Sequence, residues 1–153
     1  MTSPLTLQQW TARAQALKFS THAIIDGRPH EGAAPPLDAV NPATGQHLAQ
    51  VAACNDHDVD LAVAAARRAF ESDRWARMPR AERKKRLLKL AALITQHAQE
   101  LALIETLDMG KPISDALGYD IPEAARTYAW YAETIDKQYD EIAPTDSHAL
   151  ATI

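Results

Sequence analysis

The stretch Glu105-Thr106-Leu107-Asp108-Met109-Gly110-Lys111-Pro112 constrains the fold more than any other, because it must end one helix and let another begin. Leu101, Ile104 and Leu107 recur at helical spacing, and the pattern then stops. Gly110 can take the left-handed conformation that closes a helix. Pro112 cannot continue one but fits the opening turn of the next. Asp108 is the odd residue. A carboxylate in the last turn faces the negative end of the helix dipole, at a cost of roughly a few tenths of a kcal/mol. Solvation, a hydrogen bond to the turn after Gly110, or a positive group beside the carboxylate would each account for it.

The segments before this stretch carry equally local signals. Leu7, Trp10, Ala14 and Leu17 predict an amphipathic helix over residues 6–18, with Thr6 as N-cap. Asp26-Gly27 between two extended runs predicts a hairpin of residues 22–25 and 28–30. A short strand is expected at 37–40, a turn at Asn41-Pro42-Ala43-Thr44-Gly45 and a further strand at 47–53. Asn55 or Asp56 can cap a helix running to about residue 71, with Val59, Val63 and Ala66 inside and Phe70 closing the stripe. Pro79 opens a helix continuing through Leu87, Leu90, Ala91 and Ile94. The periodicity shifts near His97, and the next helix runs to Met109.

Beyond the central stretch, residues 113–117 form a short helix ended near Gly118. Asp120-Ile121-Pro122-Glu123 reads as a cap, a first-turn proline and a favourably placed acid. The helix it opens presents Ala125, Tyr128, Ala129, Ala132 and Ile135. After Tyr139 the chain turns extended, breaks at Pro144-Thr145-Asp146-Ser147 and resumes over 148–153. That run stops on Ile153 with no cap or polar tail. A strand that simply stops is an exposed edge, so the sequence is expected to be cut rather than finished.

The charge balance excludes some functions. The chain of 153 residues carries a net charge of −4, so bulk nucleic-acid binding gains no support. Arg74, Arg77, Arg80, Arg83, Lys84, Lys85, Arg86 and Lys89 are half of the 16 Lys and Arg. They form no clean stripe on a helix. A solvated face is the expectation, and an anion site the alternative. Cys54 is the one cysteine, so no intrachain disulfide can form. Residues 1–10 lack the pattern of a secretory signal, and no apolar run approaches the roughly 18 residues that span a bilayer. A cytoplasmic protein is the reading.

Candidate chemistry is sparse. Cys54-Asn55-Asp56-His57 holds a thiol, a base and a carboxylate at a helix start, but no oxyanion-hole signature accompanies them, and a plain helix-start loop is expected. The six histidines show neither an i, i+4 pair nor cysteine partners, which argues against zinc. Glu100, Glu105 and Asp108 do not converge as an acid/base pair. Gly-x-Gly-x-x-Gly, Gly-x-x-x-x-Gly-Lys-Ser/Thr and Gly-x-Ser-x-Gly are all absent from the sequence. Spacing alone gives a helix-rich α/β piece. A non-catalytic interaction module, using its edge strand as a docking surface, fits that description too.

Several segments together resemble the aldehyde dehydrogenase superfamily. They are Val40-Asn41-Pro42-Ala43-Thr44-Gly45, the run from Ala62 to Phe70, Trp75, the helix following Arg80, the 105–112 stretch and Trp130-Tyr131-Ala132. They occur in the family's order and cover nearly the whole chain. Leu107-Asp108-Met109-Gly110-Lys111-Pro112-Ile113, Asp120-Ile121-Pro122 and Trp130-Tyr131-Ala132-Glu133-Thr134-Ile135-Asp136-Lys137 are most similar to bacterial enzymes that oxidise γ-glutamyl-γ-aminobutyraldehyde in putrescine breakdown. A family member is roughly three times as long as this single-domain length of chain.

The resemblance implies the N-terminal, helix-rich part of a Rossmann-like cofactor domain over residues 1–140. Residues 141–153 would begin a strand arm that joins subunits into a homo-oligomer. The catalytic domain would be absent from this chain. In the full-length enzyme a cysteine thiolate would attack the small-molecule aldehyde, hydride would pass to NAD or NADP, and a Glu would activate the hydrolytic water. The segments carrying the nucleophile, the base and the cofactor loops would all lie beyond Ile153, so this chain alone is expected to be inactive, and Cys54 does not inherit the nucleophile's role. One site carries over: a monovalent cation, K+ or Na+, held by the carbonyl of Val40 and the carboxylate of Asp108, with a third ligand from elsewhere.

Overall fold

The computed structural model describes residues 5–137, 139, 141–143 and 151–152. Helix α1 (Leu7–Ala16) starts where predicted: Thr6 accepts from the Gln9 amide, and the Gln9 side chain returns a bond to the Thr6 amide. Trp10, Ala14 and Leu17 of its apolar stripe are half-buried, while Leu7 in the first turn is 84% exposed. Arg13 Nη1 ties the helix to the body of the protein by donating to Gln99 at 2.5 Å.

Strands β1 (Ala23–Ile25) and β2 (Arg28–His30) form the expected antiparallel hairpin. Asp26 and Gly27 both adopt positive φ, 54° and 73°, the geometry that matches strand twist in a two-residue turn. Strands β3 (Ala34–Val40) and β4 (His47–Ala53) pair antiparallel, with Leu37 opposite Val51 and Ala39 opposite Ala49. β3 begins three residues earlier than its apolar run indicated, because Ala34 pairs with Ala53 across an irregularity at Pro35 and Pro36. The Thr21 carbonyl accepts from the Ala52 amide at 2.8 Å, which ties the start of the hairpin to β4.

Helix α2 (Asp56–Glu71) corrects the sequence expectation about its inner face. Val59, Val63, Ala66 and Phe70 are exposed; Asp58 and Ala65, seven positions apart, are the buried pair. Hydrogen bonding at Asp58, not the valine stripe, sets which way α2 turns. The apolar stripe is left without a covering element among the described residues.

Helices α3 (Arg80–Gln96) and α4 (Ala98–Met109) meet at His97, as the shift in periodicity implied. Beyond the Gly110 turn come a single turn α5 (Ile113–Asp115), a π-helical segment over Ala116–Asp120, and α6 (Ile121–Thr134). Two expectations fail here. Gly118 does not end the helix; one wide turn carries the chain straight into α6. Asp120 is not an N-cap either, because its backbone is already helical (φ −64°, ψ −50°) and its carboxylate pairs with Lys111.

The core is built from small side chains. Ala91 on α3 and Ala125 and Ala132 on α6 are buried, which lets these two helices run close together. Ala102 and Leu103 are the buried residues of α4, and Leu101, Ile104 and Leu107 are half-buried beside them. Tyr128 of α6 stays 43% exposed, against expectation. Lys84 of α3 reaches Glu133 at 2.7 Å and Asp136 at 3.2 Å, clasping the α3–α6 pair. An open apolar groove of about 430 Å³ runs between the two helices, lined by Leu88, Ala92, Thr95, Ile121 and Ala129 among others.

Among the described residues no helix is long and apolar enough to cross a membrane. Strands β5 (Ile142–Ala143) and β6 (Ala151–Thr152) pair antiparallel. The predicted break at 144–147 lies outside the described residues.

Candidate functional site

The site that the sequence singled out lies where α4 ends. Gly110 has φ 75° and ψ 13°, and its amide donates to the Thr106 carbonyl at 3.0 Å. That left-handed residue closes the helix as expected. Its position is further restricted from outside: a Cβ added to Gly110 would lie 2.9 Å from Pro42 Cγ and 3.7 Å from Pro42 Cβ. The end of α4 therefore rests directly on the turn that follows β3.

That turn is tightly built. The side chain of Asn41, 8% exposed, accepts from the Ala43 amide at 2.9 Å. The Asn41 carbonyl accepts from the Gly45 amide at 2.8 Å, and the Asn41 amide donates to the Gln46 carbonyl at 2.9 Å. A buried asparagine that satisfies its own turn holds Pro42 in place as a wall. Pro42 and Gly110, 68 positions apart in sequence, are thereby packed together, and both belong to the segments with the most distinctive sequence patterns.

Val40 immediately precedes this turn and is 47% exposed; Asp108 is exposed on the last turn of α4. Among the described residues the Asp108 carboxylate has no hydrogen-bond or ion-pair partner. Lys111, the cation nearest in sequence, is drawn away to Asp120, and its ammonium is held above the usual lysine range by that bond first, with Glu105 and Asp115 adding to it. Among the described residues, neither the turn after Gly110 nor a positively charged side chain supplies a partner for Asp108. Among the described residues no group of three or more His, Cys, Asp or Glu is disposed around a common point to hold a metal ion.

The remaining sequence candidates do not assemble. Cys54 is an exposed free thiol. Asp56 and His57 are exposed in the first turn of α2, with no hydrogen bond to Cys54 or to each other among the described residues. Within the basic run, Arg77 pairs with Asp73 and Lys84 with Glu133 and Asp136. Arg86 and Lys89 are exposed, so the run does not converge on a single anion-sized point.

The sequence reading missed Asp58. It is 2% exposed and accepts from His30 Nε2 at 2.8 Å, from the Ala33 amide at 2.8 Å and from the Asn55 amide at 3.0 Å. The signal was present: Asn55 followed three residues later by an acid is a capping-box spacing, and Asn55 Oδ1 accepts from the Asp58 amide at 3.0 Å in return.

Comparison with known proteins places these features. The family model described as the aldehyde dehydrogenase family matches residues 30–153. Aminoacetaldehyde dehydrogenase of Pseudomonas aeruginosa is 48% identical over 100% of this chain, which covers 31% of that protein. The NADP/NAD-dependent aldehyde dehydrogenase PuuC of Escherichia coli is 46% identical over 96% of the chain and 30% of its own length. Two solved structures superpose closely. Indole-3-acetaldehyde dehydrogenase AldA of Pseudomonas syringae, in complex with NAD+, gives a TM-score of 0.94 at 47% identity, over 97% of this chain and 30% of its own. The γ-glutamyl-γ-aminobutyraldehyde dehydrogenase of Burkholderia cenocepacia gives 0.91 at 46%, over 94% and 29%. The chain thus spans about a third of the length of the relatives it matches.

Proposed function

Because the chain belongs to the aldehyde dehydrogenase family, we propose that it forms the N-terminal portion of an NAD(P)-dependent enzyme that oxidises an aldehyde to a carboxylate. The observation that carries this reading is the docking of Gly110 onto Pro42, which joins the two family-diagnostic segments in one folded unit. A chain that matches its relatives closely over about a third of their length supports a scaffold role for this portion. The assembled enzyme would act in the cytoplasm.

The chemistry belongs to the rest of such an enzyme. The described residues do not fit a dinucleotide: the start of α2 carries Asp56 and Asp58, which repel a phosphate, and no glycine-rich loop precedes a helix. This portion supplies position. It sets the end of α4 against the 41–45 turn, and it carries α6 with Trp130 and Tyr131 exposed. Residues 1–140 would form part of the cofactor domain, and residues 141–153 the start of an arm that pairs between subunits of a homo-oligomer. The β5–β6 pairing is compatible with such an arm.

We further propose that Val40 and Asp108 hold a monovalent cation. Asp108 is exposed and without a partner among the described residues, and the turn beginning after Val40 is held against the same helix end. A hard ion with oxygen ligands would take the Val40 carbonyl and the Asp108 carboxylate, and would offset the unfavourable helix-end charge. The proposed substrate is γ-glutamyl-γ-aminobutyraldehyde. Support comes from relatives whose names carry that compound and aminoacetaldehyde.

The test is spectrophotometric. The purified chain mixed with either aldehyde and NAD+ or NADP+ should form no reduced nucleotide, and turnover would overturn the division of labour described above. In the enzyme completed with the remaining segments of the E. coli relative, KCl should raise the melting temperature relative to choline chloride. Asp108→Ala should remove that difference; an unchanged difference would exclude the cation at Asp108.

A further inference from the structure

The most connected polar cluster of the described protein lies away from the α4 junction, and it joins three segments. Asp58 on α2 accepts three hydrogen bonds, from the end of β2 (His30), from the loop before β3 (Ala33) and from the residue before α2 (Asn55). An ionised carboxylate can only accept, so the proton on the shared His30 bond sits on Nε2. Gly32 completes the fit. Its φ is 75°, and a Cβ there would lie 2.2 Å from the Ala53 carbonyl oxygen, so the loop is pressed onto the end of β4.

The charges around the cluster are few. On the hairpin side, Glu31 pairs with His22 at 3.4 Å, and Asp26 with Arg68 of α2 at 3.5 Å; Arg28 is exposed. On α2, Asp56, His57 and Asp60 are exposed. On the β3–β4 sheet, Asp38 and His47 pair with each other at 3.2 Å. His30, with a side chain 33% exposed, is the titratable side chain in direct contact with Asp58.

We propose that His30, Ala33, Asn55 and Asp58 form a pH-sensitive latch that fastens the β1–β2 hairpin to the β4–α2 corner, tightened when His30 gains a proton and loosened when Asp58 does. Protonated His30 makes a charge-assisted bond to the carboxylate, which is stronger than the neutral one. Neutral His30 keeps the hydrogen bond without the charge. A proton on Oδ1 of Asp58 ends its acceptance from His30, while Oδ2 goes on accepting from the amides of Ala33 and Asn55. The His30 bond first, then the Asn55 and Ala33 amides, lower the Asp58 carboxyl to about 2 against the opposing effect of burial, so the loss of the His30 bond belongs to strong acid.

Hydrogen exchange by NMR on the whole 153-residue chain tests the latch, with protection factors corrected for the intrinsic pH dependence of exchange. The amides of Ala33 and Asn55 should gain protection several-fold as the imidazole protonates, relative to α3 amides. His30→Gln, which keeps a donor but cannot titrate, should flatten that dependence, and His22→Gln should leave it intact. Asp58→Ala, which removes both oxygens, should cost both amides about tenfold in protection. The latch is overturned if His30→Gln retains the wild-type pH dependence, if His22→Gln abolishes it, or if the Ala33 amide exchanges alike in wild type and Asp58→Ala. Should Asp58→Ala fail to fold, the two histidine variants decide the question alone.

Discussion

Replacing Gly110 with alanine isolates the contact on which the functional reading rests. Two costs apply. An L-residue at φ 75° sits in the left-handed region, at about 1–2 kcal/mol. A methyl 2.9 Å from Pro42 Cγ overpacks a junction whose other wall is a hydrogen-bonded turn, at about 1–3 kcal/mol. Gly110→Ala should therefore destabilise the chain by about 2–5 kcal/mol, a large part of the stability of a small domain. Gly45 supplies the control. Its φ is 71°, yet a Cβ there meets nothing within 4 Å, so Gly45→Ala should show only the backbone cost of about 1–2 kcal/mol. Pro42→Ala removes Cγ and should recover the packing part of the Gly110→Ala penalty, leaving the backbone part. The assay is urea denaturation followed by far-UV circular dichroism on the four variants, with the Pro42–Gly110 pair treated as a double-mutant cycle. If Gly110→Ala is no worse than Gly45→Ala, or if Pro42→Ala brings no relief, the two segments do not meet as described.

Other perturbations separate residues that look alike in sequence. Asn55→Ala should cost about 1 kcal/mol by removing the α2 cap, whereas Asp56→Ala, which removes no cap bond, should be nearly neutral in the same urea titration. Asp58 has a folded pKa of about 2 against an ordinary value of 3.8, so the stability it contributes is complete above about pH 4 and is lost as pH falls through 2. Asp58→Asn should flatten the acid limb of a stability–pH curve, and an unchanged limb would contradict the assigned bonds. Lys84→Met should lower the urea midpoint and Lys85→Met should not, because only Lys84 bridges to Glu133 and Asp136; equal effects would mean the clasp contributes nothing.

The parts legible in the sequence were those decided within a few residues. Thr6, Asp26-Gly27, Asn55, His97 and Gly110 each mark a boundary by local backbone chemistry, and each boundary was found. The 41–45 turn was equally plain, because Asn41 satisfies the turn with its own side chain. What a helix faces was not legible. The apolar stripe of α2 predicted an inner valine face, but Asp58 is anchored by three partners, two of them 25 and 28 residues away, and that anchoring rotates the valines outward. Asp120 has the composition of a cap, yet Lys111 captures it, and only the path of the π-helical turn brings the two together. At the candidate site, sequence resemblance named both Val40 and Asp108. Spacing could not reveal that Pro42 and Gly110 are in contact, because 67 residues separate them in the chain and the approach is made by side chains too small to leave a pattern.

Reduced-nucleotide formation by a chimaera tests the central claim most directly. This chain joined in frame to the segments of the E. coli relative that follow its matched region should oxidise aldehydes with NAD+ or NADP+, while each piece alone should not. Pro42→Ala/Gly110→Ala in the chimaera should retain more activity than Gly110→Ala. A chimaera that folds, as shown by far-UV circular dichroism and a cooperative melt, yet forms no reduced nucleotide with any aldehyde would contradict the assignment of this chain as the N-terminal portion of an aldehyde dehydrogenase.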